Sequence, residues 1–167
     1  AALPRDLKSN LHRRLNRGLQ DGSWHPTPDF MVDLLGWLPQ SSKFTQRGNM
    51  DDKLCRMLLR HLPISMRHAE RDLWSRVMEA LSAEARVRFL VRRELRKEGA
   101  LNVAFDQHML RMGAATLAPP TFSRDVQELA SVIWLSACLG FYGDGMRELL
   151  RRLAKAYAFV QCCGSWL

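Results

Sequence analysis

Residues 123–158 read SRDVQELASVIWLSACLGFYGDGMRELLRRLAKAYA. Apolar residues recur at spacings of three and four over 129–139 and again over 146–153, which is the pattern of two amphipathic helices. A glycine-rich segment over 140–145 separates them, so we predict one closed helical hairpin. No segment of the sequence shows sustained period-two alternation of β-branched residues. We therefore predict an all-α chain, folded as an irregular bundle or as a short solenoid of antiparallel helical hairpins.

The rest of the chain divides at turn signals into further helical segments. The predicted divisions are a basic N-terminal helix over 1–22, a helical region over 23–112, a proline-containing linker over 113–122, the C-terminal hairpin over 123–160 and a tail over 161–167. Within the helical region, Thr27 is predicted to cap a helix that has Pro28 at its first position. Pro63 is predicted to close the helix after that one, and Ser65 to start the next.

Three of the five tryptophans lie on apolar helical stripes. Trp37, Trp74 and Trp134 are therefore predicted to pack in the core. Trp24 and Trp166 are flanked by turn residues, and for these two the sequence favours neither a buried position nor an exposed one.

A shift of the sequence by 60 positions places Leu73 and Trp74 on Ile133 and Trp134. A true internal repeat produces such a partial match. Two unrelated amphipathic helices in an irregular bundle produce part of it as well. The sequence leaves both interpretations open.

The charge balance indicates the class of partner. The formal net charge is +8, and 20 of the 25 basic residues are arginine. The planar guanidinium group binds phosphate in a bidentate manner and stacks on bases, so this bias suits contact with RNA or DNA. The alternative is a set of ordinary solvated helix faces on which arginines pair with acids.

Three basic clusters are the candidate RNA-binding sites, because rows of arginine at helical spacing can follow a phosphate backbone. The sequence places Phe89 between the two basic rows of the second cluster, so we expect this ring to be partly exposed. The candidate residues are Lys8, Arg13, Arg14 and Arg17 in the first cluster, Arg86, Arg88, Arg92, Arg93, Arg96 and Lys97 in the second, and Arg147, Arg151 and Arg152 in the third.

Catalytic and metal-binding patterns are missing from the sequence. The four cysteines form no C-x-x-C motif and have no histidine at zinc-site spacing. None of the five histidines has a carboxylate at catalytic spacing. We predict a protein without catalytic residues, metal ligands or cofactors, with reduced cysteines.

The run F-S-x-x-x-x-x-L-A-x-x-I-W-x-x-A-x-L-G-F-Y occupies residues 122–142. Together with Leu149, Leu150 and Leu153 in the second helix, it resembles the helical repeats of the octotricopeptide, RAP and FAST-kinase-like proteins. The resemblance covers about a fifth of the chain, and the nuclease-like RAP module that those families often carry has no counterpart in it. It implies an organellar RNA-binding protein that acts in RNA processing or within a mitochondrial ribosome.

These observations together predict a non-catalytic, RNA-contacting helical subunit of a large organellar ribonucleoprotein, most simply a mitochondrial ribosome. Its partners would be RNA, in particular rRNA, and neighbouring protein subunits. The alternative is a protein-interaction scaffold subunit of a large complex without RNA. We expect no membrane span, because the longest uncharged stretch, over 129–143, is too short to cross a bilayer. The arginine-rich, acid-poor residues 1–18 fit an organellar presequence remnant, a basic arm or an ordinary first helix.

Overall fold

A computed structural model describes residues 4–37, 50–115 and 122–164 of the protein. Over these ranges the chain forms eight α-helices and no β-strand, which confirms the predicted all-α class. No helix in them is long and apolar enough to span a membrane. The helices are α1 (Arg5–Asp21), α2 (Pro28–Trp37), α3 (Met50–Ser65), α4 (Arg71–Ala83), α5 (Ala85–Leu95), α6 (Ala100–Ala115), α7 (Phe122–Leu139) and α8 (Asp144–Gly164).

The start of α2 agrees with the prediction. Pro28 is its first residue, where the missing backbone N–H removes no helical hydrogen bond. The Thr27 hydroxyl oxygen accepts a hydrogen bond from the Phe30 backbone N–H at 3.3 Å. This is the side-chain cap that the sequence predicts.

The predicted boundary at Pro63 is wrong. Helix α3 continues through Pro63 to Ser65, and α4 begins at Arg71 instead of Ser65. Pro63 lies in the last turn of α3, so its missing N–H removes one hydrogen bond near the helix end and leaves the turns before it intact. The Met66 N–H still donates to the Leu62 carbonyl at 2.9 Å, which extends the helical hydrogen bonding past the proline.

Helices α3, α4 and α6 are the centre of the molecule. Helix α1 packs on α3, α2 on α4, and α8 mainly on α6, while α5 and α7 contact each other and both contact α4. Aromatic rings form part of the core between these helices. The Phe105 ring lies 5.7 Å from that of Trp74 and 5.3 Å from that of Phe141, in the edge-on and tilted arrangements that aromatic pairs favour.

The glycine-rich turn between α7 and α8 is built against α6. Gly140 has a φ of +74°, a backbone conformation that favours glycine. The Asp106 side chain of α6 accepts a hydrogen bond from the Gly145 backbone N–H at 2.8 Å. A Cβ atom at Gly143 would lie 2.3 Å from the Asp106 carboxylate, so the close approach of this turn requires glycine.

The predicted linker and tail are shorter than the sequence suggested, because residues 113–115, 122 and 161–164 are helical. Helix α6 extends to Ala115, and residues 116–121 lie outside the described ranges. Helix α8 ends at Gly164, and residues 165–167, which include Trp166, also lie outside.

The predicted core position is correct for Trp74 and wrong for Trp134. Trp74 is 3% exposed, whereas Trp134 is 70% exposed. Helix α7 faces the core with Leu129, Val132 and Ser136, and Trp134 lies on the opposite side. The two tryptophans that a shift of 60 positions aligns therefore occupy different environments. The side chain of Trp37 lies outside the described residues.

Candidate nucleic-acid interface

Lys8, from the first basic cluster, lies at the contact between α1 and α3. Its ammonium group is 2.6 Å from the Asp51 carboxylate, and the Lys8 side chain is 11% exposed. The two helices thus hold this charge between them, away from solvent. Its position makes Lys8 part of the α1–α3 contact.

Arg86, from the second cluster, joins α5 to α3. Its guanidinium group donates to both carboxylate oxygens of Asp52, at 2.5 and 2.8 Å. This bidentate bond raises the pKa of Arg86, and Asp52 is buried. A phosphate group would have to displace a matched carboxylate to bind here.

Three arginines bind carbonyl groups at or just beyond the carboxyl ends of other helices. Arg88 donates to the Ser82 carbonyl and to that of Ala83 at the end of α4. Arg92 donates from Nε and Nη2 to the Cys138 carbonyl near the end of α7, at 3.2 and 2.8 Å. Arg111, which the sequence did not single out, donates in the same way to a carbonyl in the turn after α3, that of Arg67, at 3.1 Å. Such ends carry unpaired carbonyl groups and a partial negative charge, so a guanidinium group stabilises them.

The carboxyl-terminal part of α5 and the turn after it carry the remaining second-cluster residues. Lys97 pairs with Glu94 at 2.6 Å. Arg93 and Arg96 are exposed, and neither forms an ion pair within the described parts of the chain. These two guanidinium groups are therefore accessible to an anionic partner.

The third cluster, on α8, forms ion pairs along its own helix. Arg147 lies 3.1 Å from Asp144, and Glu148 binds both Arg151 at 2.7 Å and Arg152 at 2.8 Å. Hydrogen bonds from Arg151 and Arg152 lower the pKa of Glu148 to about 2. This arrangement matches the ion-paired alternative more closely than it matches an open basic row.

Three exposed arginines follow one another along α1: Arg13, Arg14 and Arg17. Arg13 donates to the Asn10 side chain. The Arg14 guanidinium carbon lies 4.5 Å from the centre of the Trp24 ring, a cation–π contact that leaves the charge uncompensated. Trp24 is half-buried and also packs edge-on against Phe30, with ring centres 6.1 Å apart.

Two basic residues of α3 that sequence reasoning missed lie on the helix that packs against α1. Lys53 and Arg60 are both exposed. After burial, the Lys53 charge is the second cause of the lowered pKa of His12 on α1, which places Lys53 beside that helix. Their spacing of seven residues, two helical turns, was the available sequence signal. We call the exposed set of Arg13, Arg14, Arg17, Lys53 and Arg60 the α1–α3 basic surface.

Acidic residues near this surface already have partners. Asp51 contacts Lys8, and Asp52 contacts Arg86. At the end of α1, hydrogen bonds from the Ser23 side chain and then from the Ser23 N–H, at 2.8 Å, lower the pKa of Asp21, and the charge of Arg17 lowers it further. Apart from Lys8, the residues of the first predicted cluster form no ion pair among the described residues, so this cluster is the least ion-paired of the three.

Histidines lie beneath this surface without forming a metal centre. His61 is buried, its Nε2 lies 2.8 Å from the Leu15 carbonyl, and its Nδ1 lies 3.0 Å from His25 Nδ1. Burial lowers the pKa of His61. Among the described residues no three His, Cys, Asp or Glu side chains are grouped to hold a metal ion. His61 thus links α3 to the Leu15 carbonyl of α1 and to His25 in the segment between α1 and α2.

The thiol of Cys55 is poorly suited to nucleophilic chemistry. Its side chain is buried in α3, and burial raises its pKa to about 12. The thiolate form that attacks electrophiles is thus scarce at neutral pH.

Comparisons with known proteins identify no relative of this chain. No protein-family model, no curated protein and no solved structure significantly matches the chain.

Proposed function

We propose that this protein is a non-catalytic, RNA-contacting helical subunit of a large organellar ribonucleoprotein such as a mitochondrial ribosome. The observation that carries the proposal is the α1–α3 basic surface, where guanidinium and ammonium groups are exposed and the carboxylates of Asp51 and Asp52 pair with other residues. A helix that presents Arg13, Arg14 and Arg17 on neighbouring turns can contact several phosphates of one RNA strand. The net charge of +8 favours the same class of partner.

RNA binding through this surface is tested by a charge-matched pair of triple variants. Arg13→Gln/Arg14→Gln/Arg17→Gln removes three charges from α1, and Arg147→Gln/Arg151→Gln/Arg152→Gln removes three from the ion-paired cluster of α8. Filter binding to a structured RNA at two salt concentrations gives the affinity and its salt dependence. We expect the α1 variant to lose more affinity and to lower the slope of log K against log salt by about 2.

Two outcomes would count against the proposal. Equal losses in the two triple variants would mean that binding follows net charge without a defined surface.

Sedimentation of the tagged full-length protein in cell extract addresses the ribonucleoprotein directly. Migration in a complex that resists RNase would favour the protein-scaffold alternative, and co-migration with rRNA would support the proposal.

A further inference from the structure

We infer that a second surface, formed by α5, α7 and the turn after α7, is a stacking platform for unpaired bases of single-stranded RNA. This inference deepens the proposed function and rests on it. We call the surface the aromatic platform. It consists of Phe89, Arg92, Arg93, Arg96, Trp134 and Tyr142.

The first observation is the exposure of three aromatic side chains. Phe89 is 55% exposed, Trp134 is 70% exposed and Tyr142 is 66% exposed. Groups of large aromatic rings are rarely exposed on the surface of a monomeric protein, and where they occur together they mark contact sites. Within the described parts of the chain, none of these three rings packs against another aromatic ring. The rings of Trp24, Trp74, Phe105 and Phe141 each do.

Each of the three rings lies three or four residues along the chain from one end of the contact between Arg92 and Cys138. Arg92 donates to the Cys138 carbonyl at 2.8 Å, and its side chain would lie 3.0 Å from a Cβ atom at Gly140. Phe89 is three residues before Arg92 on α5, and Trp134 is four residues before Cys138 on α7. Residues at these spacings are neighbours on a helix surface, about 5–6 Å apart. Tyr142 follows Gly140 by two residues.

Uncompensated positive charge adjoins the rings. On α5, Phe89 and Arg93 are four residues apart, and Arg93 and Arg96 are three apart, so they form one continuous patch. Arg93 and Arg96 are exposed and have no ion pair among the described residues, while Glu94 is bound by Lys97. Asp144, near Tyr142, pairs with Arg147.

Single-stranded RNA is the occupant that this combination fits. Proteins that bind it pair cationic groups for the backbone with aromatic rings on which successive bases stack. Duplex RNA offers phosphates and hides the faces of its bases, so it would leave the rings unused. An acidic protein surface would satisfy Arg93 and Arg96 and would likewise leave the faces of three rings without a matching partner.

The test measures how the rings contribute to binding of an oligouridylate of about 12 nucleotides, within the range of known single-strand sites. Fluorescence anisotropy compares Trp134→Ala and Trp134→Phe with the unchanged protein. We expect Trp134→Ala to weaken binding by about tenfold and Trp134→Phe, which keeps a ring, by less. Val103→Ala, which truncates another exposed apolar side chain, on α6, is the matched control and should leave affinity unchanged.

Two further probes separate stacking from charge. An abasic strand of the same length and an RNA duplex keep the phosphates, so Trp134→Ala should not alter their affinities. Equal losses for the oligouridylate, the abasic strand and the duplex would overturn the platform. An unchanged oligouridylate affinity in Trp134→Ala, with the α1 triple variant impaired, would overturn it and leave the proposed function standing. Failure of the unchanged protein to bind the oligouridylate, while it still binds structured RNA, would overturn the platform alone.

Discussion

Several arginine side chains in this protein connect one helix to another. Arg86 binds a buried carboxylate of α3, and Arg88 and Arg92 each bind a carbonyl group near the carboxyl end of a neighbouring helix. Lysine lacks the planar fork that allows one side chain to donate twice in fixed directions. The arginine bias of the sequence therefore has a structural cause in addition to any role in binding, and only the uncompensated groups remain for a partner.

Among single residues, His108 gives the clearest pH dependence. It is buried, its ring stacks on Trp74 with centres 4.6 Å apart, and its Nε2 has no hydrogen-bond partner in the described residues. Burial, followed by the charges of Arg111 and Arg71, lowers the pKa of His108 from 6.5 to about 4. The unfolded chain therefore binds this proton more readily than the folded protein does.

From this depressed pKa we expect His108 to destabilise the fold as the pH falls from about 6.5 to about 4. Its contribution is fully present above the unfolded pKa and is lost through that window. His108→Phe keeps a ring to stack on Trp74 and removes the titration. Between neutral pH and pH 4, the unchanged protein should therefore lose about 2 kcal/mol more of its free energy of unfolding than this variant does. Urea denaturation at several pH values measures the difference. His68→Phe, at an exposed position, should follow the unchanged protein. Parallel curves for His108→Phe and the unchanged protein would refute the expectation.

At the scale of the element, α8 depends on a cap supplied by another helix. The Asp106 side chain of α6 accepts the Gly145 N–H in the first turn of α8. Asp106→Ala removes this acceptor, and we expect it to lower the free energy of unfolding by about 1 kcal/mol. Asp106→Asn keeps a carbonyl oxygen at the same place and should lose less. Urea denaturation followed by circular dichroism measures both, with Asp33→Ala, at an exposed position of α2, as the control. A loss in Asp106→Ala no larger than that in Asp33→Ala would show that the contact does not stabilise α8.

The sequence predicted helices better than it predicted how they face the core. Apolar periodicity located the two helices of the hairpin, and Thr27-Pro28 located the start of α2. Helix α7 has apolar residues on more than one side, so its spacing did not determine which stripe is buried. Ser136, a polar residue, is buried and satisfied by the Val132 carbonyl at 2.8 Å, while Trp134 faces solvent. Packing against the other helices determines which side of α7 is buried, and the local sequence pattern does not.

The candidate surfaces were only partly predictable for a related reason. The three basic clusters follow from counting arginines along each helix, yet their neutralisation depends on residues distant in sequence. Lys8 meets Asp51, and Arg86 meets Asp52. Lys53 and Arg60 join the α1 arginines only because α3 packs on α1. The aromatic platform is a further case, since it depends on the contact between Arg92 and Cys138, 46 residues apart.

For the whole molecule, the uncompensated positive charge should destabilise the isolated protein. A net charge of +8 produces self-repulsion in the folded state, which salt screens over a Debye length of about 30 Å at about 10 mM and about 8 Å at physiological ionic strength. We therefore expect the melting temperature of the protein to rise as NaCl is added to a low-salt buffer. An RNA ligand should stabilise the protein too, because it binds the folded state.

Reduced charge should raise stability and weaken RNA binding in the same variant. Arg17→Gln with Arg60→Gln lowers the net charge from +8 to +6 at two exposed positions that form no ion pair among the described residues. We expect a melting temperature about 1–2 °C higher at low salt and no difference at high salt, where screening is complete. Gln107→Glu, exposed within α6, lowers the charge without removing an arginine and should shift the melting temperature in the same direction. Differential scanning calorimetry across a salt series measures these shifts. A melting temperature independent of salt in all three proteins would mean that the positive charges are too far apart to repel one another. The basic surfaces would then not destabilise the fold, and RNA binding would have no charge repulsion to remove.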